Sequence, residues 1–440
     1  MLIVLKEVLE ADKGRPWPFI IPVLMYNPFM QNQFIKIKNI PLVVNDILNA
    51  ALIALLFSAF IYFEHWDISI KTVNSVFALL SLYALLTFRR RIVFFSGFFI
   101  GLLWFYWVGY SFEYYDFTWM VPIVSLLLAV SYMLIFGTLA LTDNVWIRAL
   151  ILFAISFFKP MDFNWMQIEL IFIESYFGIE KWQFILILAS LGLYATLKPP
   201  LRYISALLIV SAVQFNTMQK SPPPFNVKLV STQMPQELKW RSSMRSRTVE
   251  NNLASIRKAI DENYDLVILP ESVFPLFLNY HPVIEEELRK LSEKIAIITG
   301  ALYEENGNNY NVSYFFHKGE IQIAKKMILV PFGEYIPLPK FIRSWVNDAF
   351  FGGSSDYVAA KQPTDFDING VLFRSAVCYE ATREELYEDN PKYVAAMSNN
   401  AWFQPSIEPT LQKLLMRYYA RRHGTIIYHS ANMGGSGVVY

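Results

Sequence analysis

The chain has 440 residues, of which 54% are hydrophobic, 16% aromatic and only 17% charged, a balance too apolar for an ordinary soluble protein of this length. A net charge of +1 leaves no overall field to steer a polyanion, so nucleic acid is excluded as an expected partner. Five scattered histidines and one cysteine give no metal-ligand cluster, and no GxGxxG, Walker A or nucleophile-elbow word is present, so neither a metal nor another cofactor is expected.

In chain order, residues 1–33 come first. Pro16, Pro18, Pro22 and Pro28 break up their apolar stretch, and the basic start and small-residue cleavage site of a signal peptide are missing. They read as an interfacial or disordered extension, or as an upstream start, with no role assigned. Residues 34–220 read as a transmembrane helical domain. Residues 92–112 and 119–141 run for 21 and 23 residues without a charge, and each can cross the roughly 30 Å hydrocarbon layer. Residues 45–63, 73–88, 184–197 and 201–215 are shorter or less clean, and 145–158 is interrupted by Arg148. The expectation is about seven spans.

The basic residues alternate from loop to loop. Lys36 and Lys38 precede the first span, Arg89, Arg90 and Arg91 lie between the second and third, Arg148 follows the fourth, and Lys198 and Arg202 separate the last two. The intervening loops carry Glu64 and Asp67, then Glu113 and Asp116, then Asp162, Glu169 and Glu174, with Lys71, Lys159 and Lys181 as exceptions. Cytoplasmic loops retain Lys and Arg, so this pattern predicts a cytoplasmic N-terminus, and an odd number of crossings puts everything after Ser221 outside the cytoplasm.

Ser221-Pro222-Pro223-Pro224 reads as a stiff linker, after which residues 221–440 have the composition of a soluble domain large enough for one core. Short β-rich runs at 227–232, 265–269, 295–302, 310–316, 371–377, 393–397 and 425–429 alternate with helical stretches at 247–262, 282–293 and 408–422. That alternation predicts layered α/β packing.

Cys378 is the only cysteine, and it stands where the hydrophobic run 371–377 gives way to a charged stretch. A thiol at the end of a buried strand can project into a cleft on a rigid backbone, as a nucleophile requires, whereas an isolated buried cysteine is commonly only a small apolar side chain. Two further segments in marked contexts favour the nucleophile: Leu269-Pro270-Glu271-Ser272, and a run from Lys326 through Leu329, Val330, Pro331 and Gly333 to Glu334. A thiol with an unperturbed pKa near 8.5 needs a base or a cation beside it, and Glu271 and a lysine fit those roles. Strand alternation puts Lys325 on the face of Ile321 and Ile323 and Lys326 opposite, and so does not choose between them.

Pro270-Glu271, Lys326 and Cys378 resemble the Glu-Lys-Cys triad of the nitrilase superfamily. Val330-Pro331-Phe332-Gly333-Glu334-Tyr335-Ile336-Pro337, Cys378-Tyr379-Glu380, Ser398-Asn399-Asn400-Ala401-Trp402-Phe403, Ser430-Ala431-Asn432 and Leu238-Lys239-Trp240 are similar to the apolipoprotein N-acyltransferase family, and Gly97, Gly101, Trp104, Ser111 and Phe163-Asn164-Trp165 resemble it more loosely. The resemblance implies a multi-pass α-helical membrane bundle carrying an extracytoplasmic αββα nitrilase-like domain in a bacterial inner membrane. It implies a two-step reaction in which Cys378 takes an acyl chain from a membrane phospholipid as a thioester and passes it to the N-terminal amine of a diacylated lipoprotein. By the same resemblance Glu271 is the base, Lys326 is chosen over Lys325 by its spacing to Leu329-Val330-Pro331, Glu334 and Glu380 are supporting carboxylates, and Trp240, Tyr379 and Trp402 are packing or lipid contacts. Members of the family usually continue past the equivalent of Val438-Val439-Tyr440, so the catalytic domain is expected to be shortened at its C-terminus.

Two other functions remain compatible with these residues. A membrane-tethered amidase or nitrilase acting on a small amide would use the same triad. A catalytically silent scaffold or transporter is disfavoured, because a transporter carries ionisable groups within its spans and the two clearest spans have none.

Overall fold

The computed structural model describes residues 33–37, 40–214, 221–331, 333–335 and 357–440. Residues 1–32 of the N-terminal extension, and Phe332, Ile336 and Pro337 of the Val330 word, lie outside the described residues. The chain divides into two compact units, one of residues 1–109 and 119–217, the other of residues 110–118 and 218–440.

In the first unit a helical segment coincides with each of the seven expected spans: α1 (Leu42–His65), α2 (Lys71–Thr87), α3 (Arg90–Phe105), α4 (Met120–Gly137), α5 (Val145–Ile155), α6 (Lys181–Thr196) and α7 (Ser205–Ser211). Among the described residues three stretches, Leu42–His65, Arg90–Tyr115 and Met120–Leu141, are long and apolar enough to cross a membrane. The third expected span is not one regular helix. It tightens after Phe105 into a 3-10 segment, Tyr106–Tyr115, whose ring-rich sequence offers few strong helix formers. Leu126, Leu127 and Leu134 on α4 are more than half exposed, as an apolar solvent would require. Gly97 on α3 lets α4 come close, since a Cβ there would stand 2.6 Å from the Tyr132 carbonyl oxygen.

Arg148, which interrupts the fifth expected span, is 1% exposed. Its guanidinium donates to Leu86 O at 3.3 Å in the last turn of α2 and Phe88 O at 2.6 Å just after it, and to Thr142 O at 2.8 Å and Leu139 O at 3.1 Å after α4. The last carbonyls of a helix have no partner within it, and here one side chain satisfies the ends of two helices. Asn49 does the same for an incoming strand of chain, its Oδ1 accepting from Phe34 N at 2.6 Å and Ile35 N at 2.8 Å.

The second unit is a four-layer αββα sandwich. A six-stranded sheet runs in the order β1 (Val227–Leu229), β2 (Leu266–Ile268), β4 (Ala296–Glu305), β5 (Asn308–His317), β6 (Glu320–Lys325), with β3 (Phe274–Phe277) also on β4. A five-stranded sheet runs β11 (Gly437–Val439), β10 (Ile426–Asn432), β9 (Tyr393–Asn399), β8 (Val371–Val377), β7 (Asp365–Ile368). In the six-stranded sheet β1–β2 and β2–β4 are parallel and β4–β5 and β5–β6 antiparallel, while in the five-stranded sheet the parallel pairs β8–β9 and β9–β10 are flanked by antiparallel β7–β8 and β10–β11.

The parallel strands are mostly apolar because both of their faces are covered. Leu266, Ile268, Ile298, Phe315 and Ala324 of one sheet meet Phe373, Val377, Ala395, Met397 and Tyr428 of the other in a shared middle layer. The outer face of the six-stranded sheet packs Val267, Ile297, Val312 and Phe316 under α8 (Ser242–Asp261) and α9 (Pro282–Ser292). Over the other sheet lies α10 (Glu408–His423), with Leu411, Leu414, Leu415 and Tyr418 buried. At roughly 25 cal/mol per Å² of apolar surface, these three interfaces supply the main favourable free energy of the unit. Strand ends on both sheets then open toward the same cluster of titratable side chains.

Candidate active site

Cys378 follows the last residue of β8 and begins a 3-10 turn, Cys378–Thr382. Its φ of +55° lies in the left-handed region, where a residue with a Cβ is strained and is held by its surroundings. The strand thus ends abruptly and turns the thiol out of the sheet; Cys378 keeps part of its surface open while Val377 and Tyr379 on either side are buried.

Glu271 follows β2 and is 8% exposed. Its neighbour Ser272 also has a positive φ, +45°, and the segment lies so close to β4 that a Cβ on Gly300 would stand 2.5 Å from Ser272 N and 2.7 Å from Glu271 Cα. Glycine is the residue that permits this approach. Lys326 lies one position beyond β6 and is 1% exposed. It shares the parity of Ala324, which faces the middle layer, and its backbone N–H donates to Asn311 O at 3.0 Å. Lys325 points the other way, half out to solvent, paired with Glu305 at 2.6 Å and lying over the Tyr310 ring at 4.1 Å.

Three side chains hold these groups in register. Glu334 pairs with Lys326 Nζ at 2.7 Å and accepts from Val330 N at 2.9 Å. Asn311 uses its two amide hydrogens to reach Glu271 Oε1 at 2.8 Å and Glu334 Oε1 at 2.9 Å. Glu380 accepts from Met327 N at 2.6 Å and Ile328 N at 3.1 Å through one oxygen and from Val377 N at 2.8 Å through the other. One carboxylate therefore ties the lysine loop to the end of the cysteine strand. Burial lifts Glu380 to about 7, against the lowering effect of Lys326 and of the three backbone donors.

Burial raises the Cys378 thiol well above its ordinary value, with Glu271 adding to the rise and Lys326 opposing it. Burial alone would lower Lys326, but Glu334, Glu271, Cys378 and Glu380 outweigh it and keep the ammonium charged. The site is thus a neutral thiol between a carboxylate and a fixed cation. An attacking sulfur has an acceptor for its proton, and the negative charge that develops has a counterion in a water-poor cleft.

The remaining expected residues are more dispersed. Tyr379 is buried and its hydroxyl accepts from Arg383 at 3.1 Å. Trp402 stacks on Tyr115 at 6.0 Å and meets Tyr114 edge-on at 5.4 Å, both within the second unit. Trp240 is 43% exposed, and in the same word it is Lys239 that is buried, donating to Glu271 O at 3.0 Å. Burial lowers Lys239 to about 8, opposed by Glu271 and Cys378. The sequence reading missed Lys239 and Asn311, and also Gln412, whose Nε2 donates to Cys378 Sγ at 3.8 Å. The available signal for Lys239 was its place in Leu238-Lys239-Trp240.

A helical membrane unit followed by an αββα sandwich with this cluster defines a membrane-bound member of the carbon-nitrogen hydrolase class. Two family profiles match, "Apolipoprotein N-acyltransferase integral membrane domain" over residues 44–215 and "Carbon-nitrogen hydrolase" over residues 228–440. The chain is 44% identical to an apolipoprotein N-acyltransferase of Wolinella succinogenes, covering 88% of this chain and 94% of that one. It is 39% identical to one from Helicobacter pylori, over 88% and 94% of the two chains, and 35% identical to one from Helicobacter hepaticus, over 83% and 93%. The chain belongs to the apolipoprotein N-acyltransferase family.

Proposed function

We propose that this protein transfers an acyl chain from a membrane phospholipid to the N-terminal amine of a diacylglyceryl-cysteine lipoprotein through a thioester on Cys378. The observation that carries the reading is the convergence of Glu271 and Lys326 on the only cysteine, with Asn311, Glu334 and Glu380 fixing their positions. In the first step Cys378 Sγ attacks the ester carbonyl, its proton passes to Glu271, the C–O bond breaks, and the lysophospholipid alkoxide leaves with that proton. Lys326 stabilises the oxyanion formed on the way. In the second step the acceptor amine attacks the thioester, the C–N bond forms, the C–S bond breaks, and Glu271 relays the amine proton to the departing sulfur.

The apolar helices of the first unit supply a reason for tethering: an acyl chain drawn from the bilayer never has to cross water. The alternating basic loops support a cytoplasmic-membrane location with the sandwich on the outer side. The test is transfer from a radiolabelled-acyl phospholipid to a diacylated peptide with a free N-terminal cysteine amine. Wild type forms the amide and Cys378→Ala does not. Release of free fatty acid with the peptide unmodified would favour the amidase-like alternative.

A further inference from the structure

α10 brings two unsatisfied oxygens to the thiol. Gln412 is fully buried and donates through Nε2 to Cys378 Sγ at 3.8 Å, while its Oε1 has no hydrogen-bond partner among the described residues. Glu408, four residues earlier and therefore on the same helix face, is 1% exposed, and its Oε2 likewise has no partner among the described residues. The charge of Glu408 bears on both Cys378 and Glu271, which places its carboxyl in the same cluster.

Buried acceptors are normally hydrogen-bonded, and two left open side by side at a nucleophile need an explanation. A glutamate in the first turn also interacts favourably with the helix dipole, but that role calls for neither its burial nor a second open acceptor one turn on. The missing partner must bring N–H or O–H donors. Phospholipid ester groups bring only acceptors to the carbonyl being attacked, so the first step leaves these oxygens unmatched. A primary amine brings two or three donors, and it arrives at the thioester on Cys378.

We propose that Glu408 Oε2 and Gln412 Oε1 form the docking point for the acceptor's N-terminal amine. This rests on the acyl-transfer reading above. Two N–H groups held by these oxygens would leave the nitrogen lone pair facing the thioester carbonyl, while Gln412 Nε2 stays on the sulfur that must leave.

The experiment begins from enzyme already acylated on Cys378 by phospholipid, so only folded, acylated molecules are counted. It measures how fast the thioester is discharged by the diacylated peptide and, separately, by hydroxylamine, which is small and uncharged and needs no docking point. In Glu408→Gln and Gln412→Met the ratio of peptide to hydroxylamine discharge falls about tenfold, as expected when a charge-assisted hydrogen bond is lost from one nucleophile alone. The apparent KM for peptide rises with it. A ratio unchanged in both variants, or a fall shared equally by both nucleophiles, would overturn the docking role and leave the acyl-transfer reading intact. If Glu408→Gln yields no acylated protein, Gln412→Met decides on the same ratio. A wild type that forms no thioester would remove the parent reading, and this proposal with it.

Discussion

The two units bury polar groups in opposite ways. In the helical unit such groups are scattered: Arg148 ends on the carbonyls after α2 and α4, Asn49 on Phe34 N and Ile35 N, and the buried Glu169 pairs with Lys181 at 2.7 Å. In the sandwich they gather. Glu271, Lys326, Glu334, Glu380, Lys239, Gln412 and Glu408 are all buried or nearly so around one partly open thiol. A buried charge is tolerated when it is paired or hydrogen-bonded, and both units obey that rule. The first arrangement closes helix ends and pairs single charges; the second gathers several ionisable side chains around one thiol, which is the condition for acid-base and nucleophilic chemistry.

That contrast can be broken at its largest scale by sidedness. A reporter active only outside the cytoplasm is expected to work when fused after Pro224 and to stay silent when fused beside Arg90; the reverse pattern would put the sandwich on the wrong side for lipoproteins. Next comes Lys326→Met, which removes the proposed counterion of the oxyanion and is expected to cost about 10²-fold or more in acyl transfer. Arg148→Leu tests the other unit. Leaving the carbonyls of Phe88 and Thr142 without their donor is expected to lower stability by about 1–3 kcal/mol, read as a lower thermal midpoint in detergent, with acyl transfer per folded molecule preserved. Equal activity losses in Arg148→Leu and Lys326→Met would erase the distinction between the units.

A pH effect sharpens the picture inside the sandwich. Glu380 sits at about 7 in the folded protein against 4.5 for an ordinary glutamate, so between those values the folded state holds a proton that the unfolded state has released. Its contribution to stability is complete below about 4.5 and is lost as pH rises through about 7. The thermal midpoint of the wild type is therefore expected to fall relative to Glu380→Gln across that window; a constant difference would show that Glu380 does not titrate there. The smallest effect is expected from Lys325→Met, since its pair with Glu305 lies at the surface, partly exposed, and such pairs contribute about 0–1 kcal/mol.

Much of this layout was legible in the sequence because apolar patterning carries it. The parallel strands β2, β8 and β9 read as mostly hydrophobic runs, β8 despite Arg374 and Ser375, and Cys378 and Glu271 were visible as polar residues where such runs stop. The short margin strands β7 and β11 and the small β3 were not, since each has only three or four residues and no periodicity to display. Asn311 ends a polar-looking stretch, Asn308 to Asn311, and only the β5 register against β4 and β6 turns it inward toward Glu271 and Glu334. Arg148 looked like a flaw in a span because its partners, 60 residues away at Phe88 and nearby at Thr142, are backbone carbonyls that no side-chain pattern reveals. Glu408 and Gln412 read as one polar flank of a surface helix until α10 is seen to be packed over Cys378.

The central claim is that the thiol carries the acyl chain, and the most direct measurement is the intact mass of the purified protein after incubation with phospholipid and no amine. The account predicts a single added acyl group that maps to Cys378, is removed by hydroxylamine and is absent from Cys378→Ala. An unmodified wild type, while lipoprotein peptide is still acylated at full rate by Cys378→Ala, would contradict it.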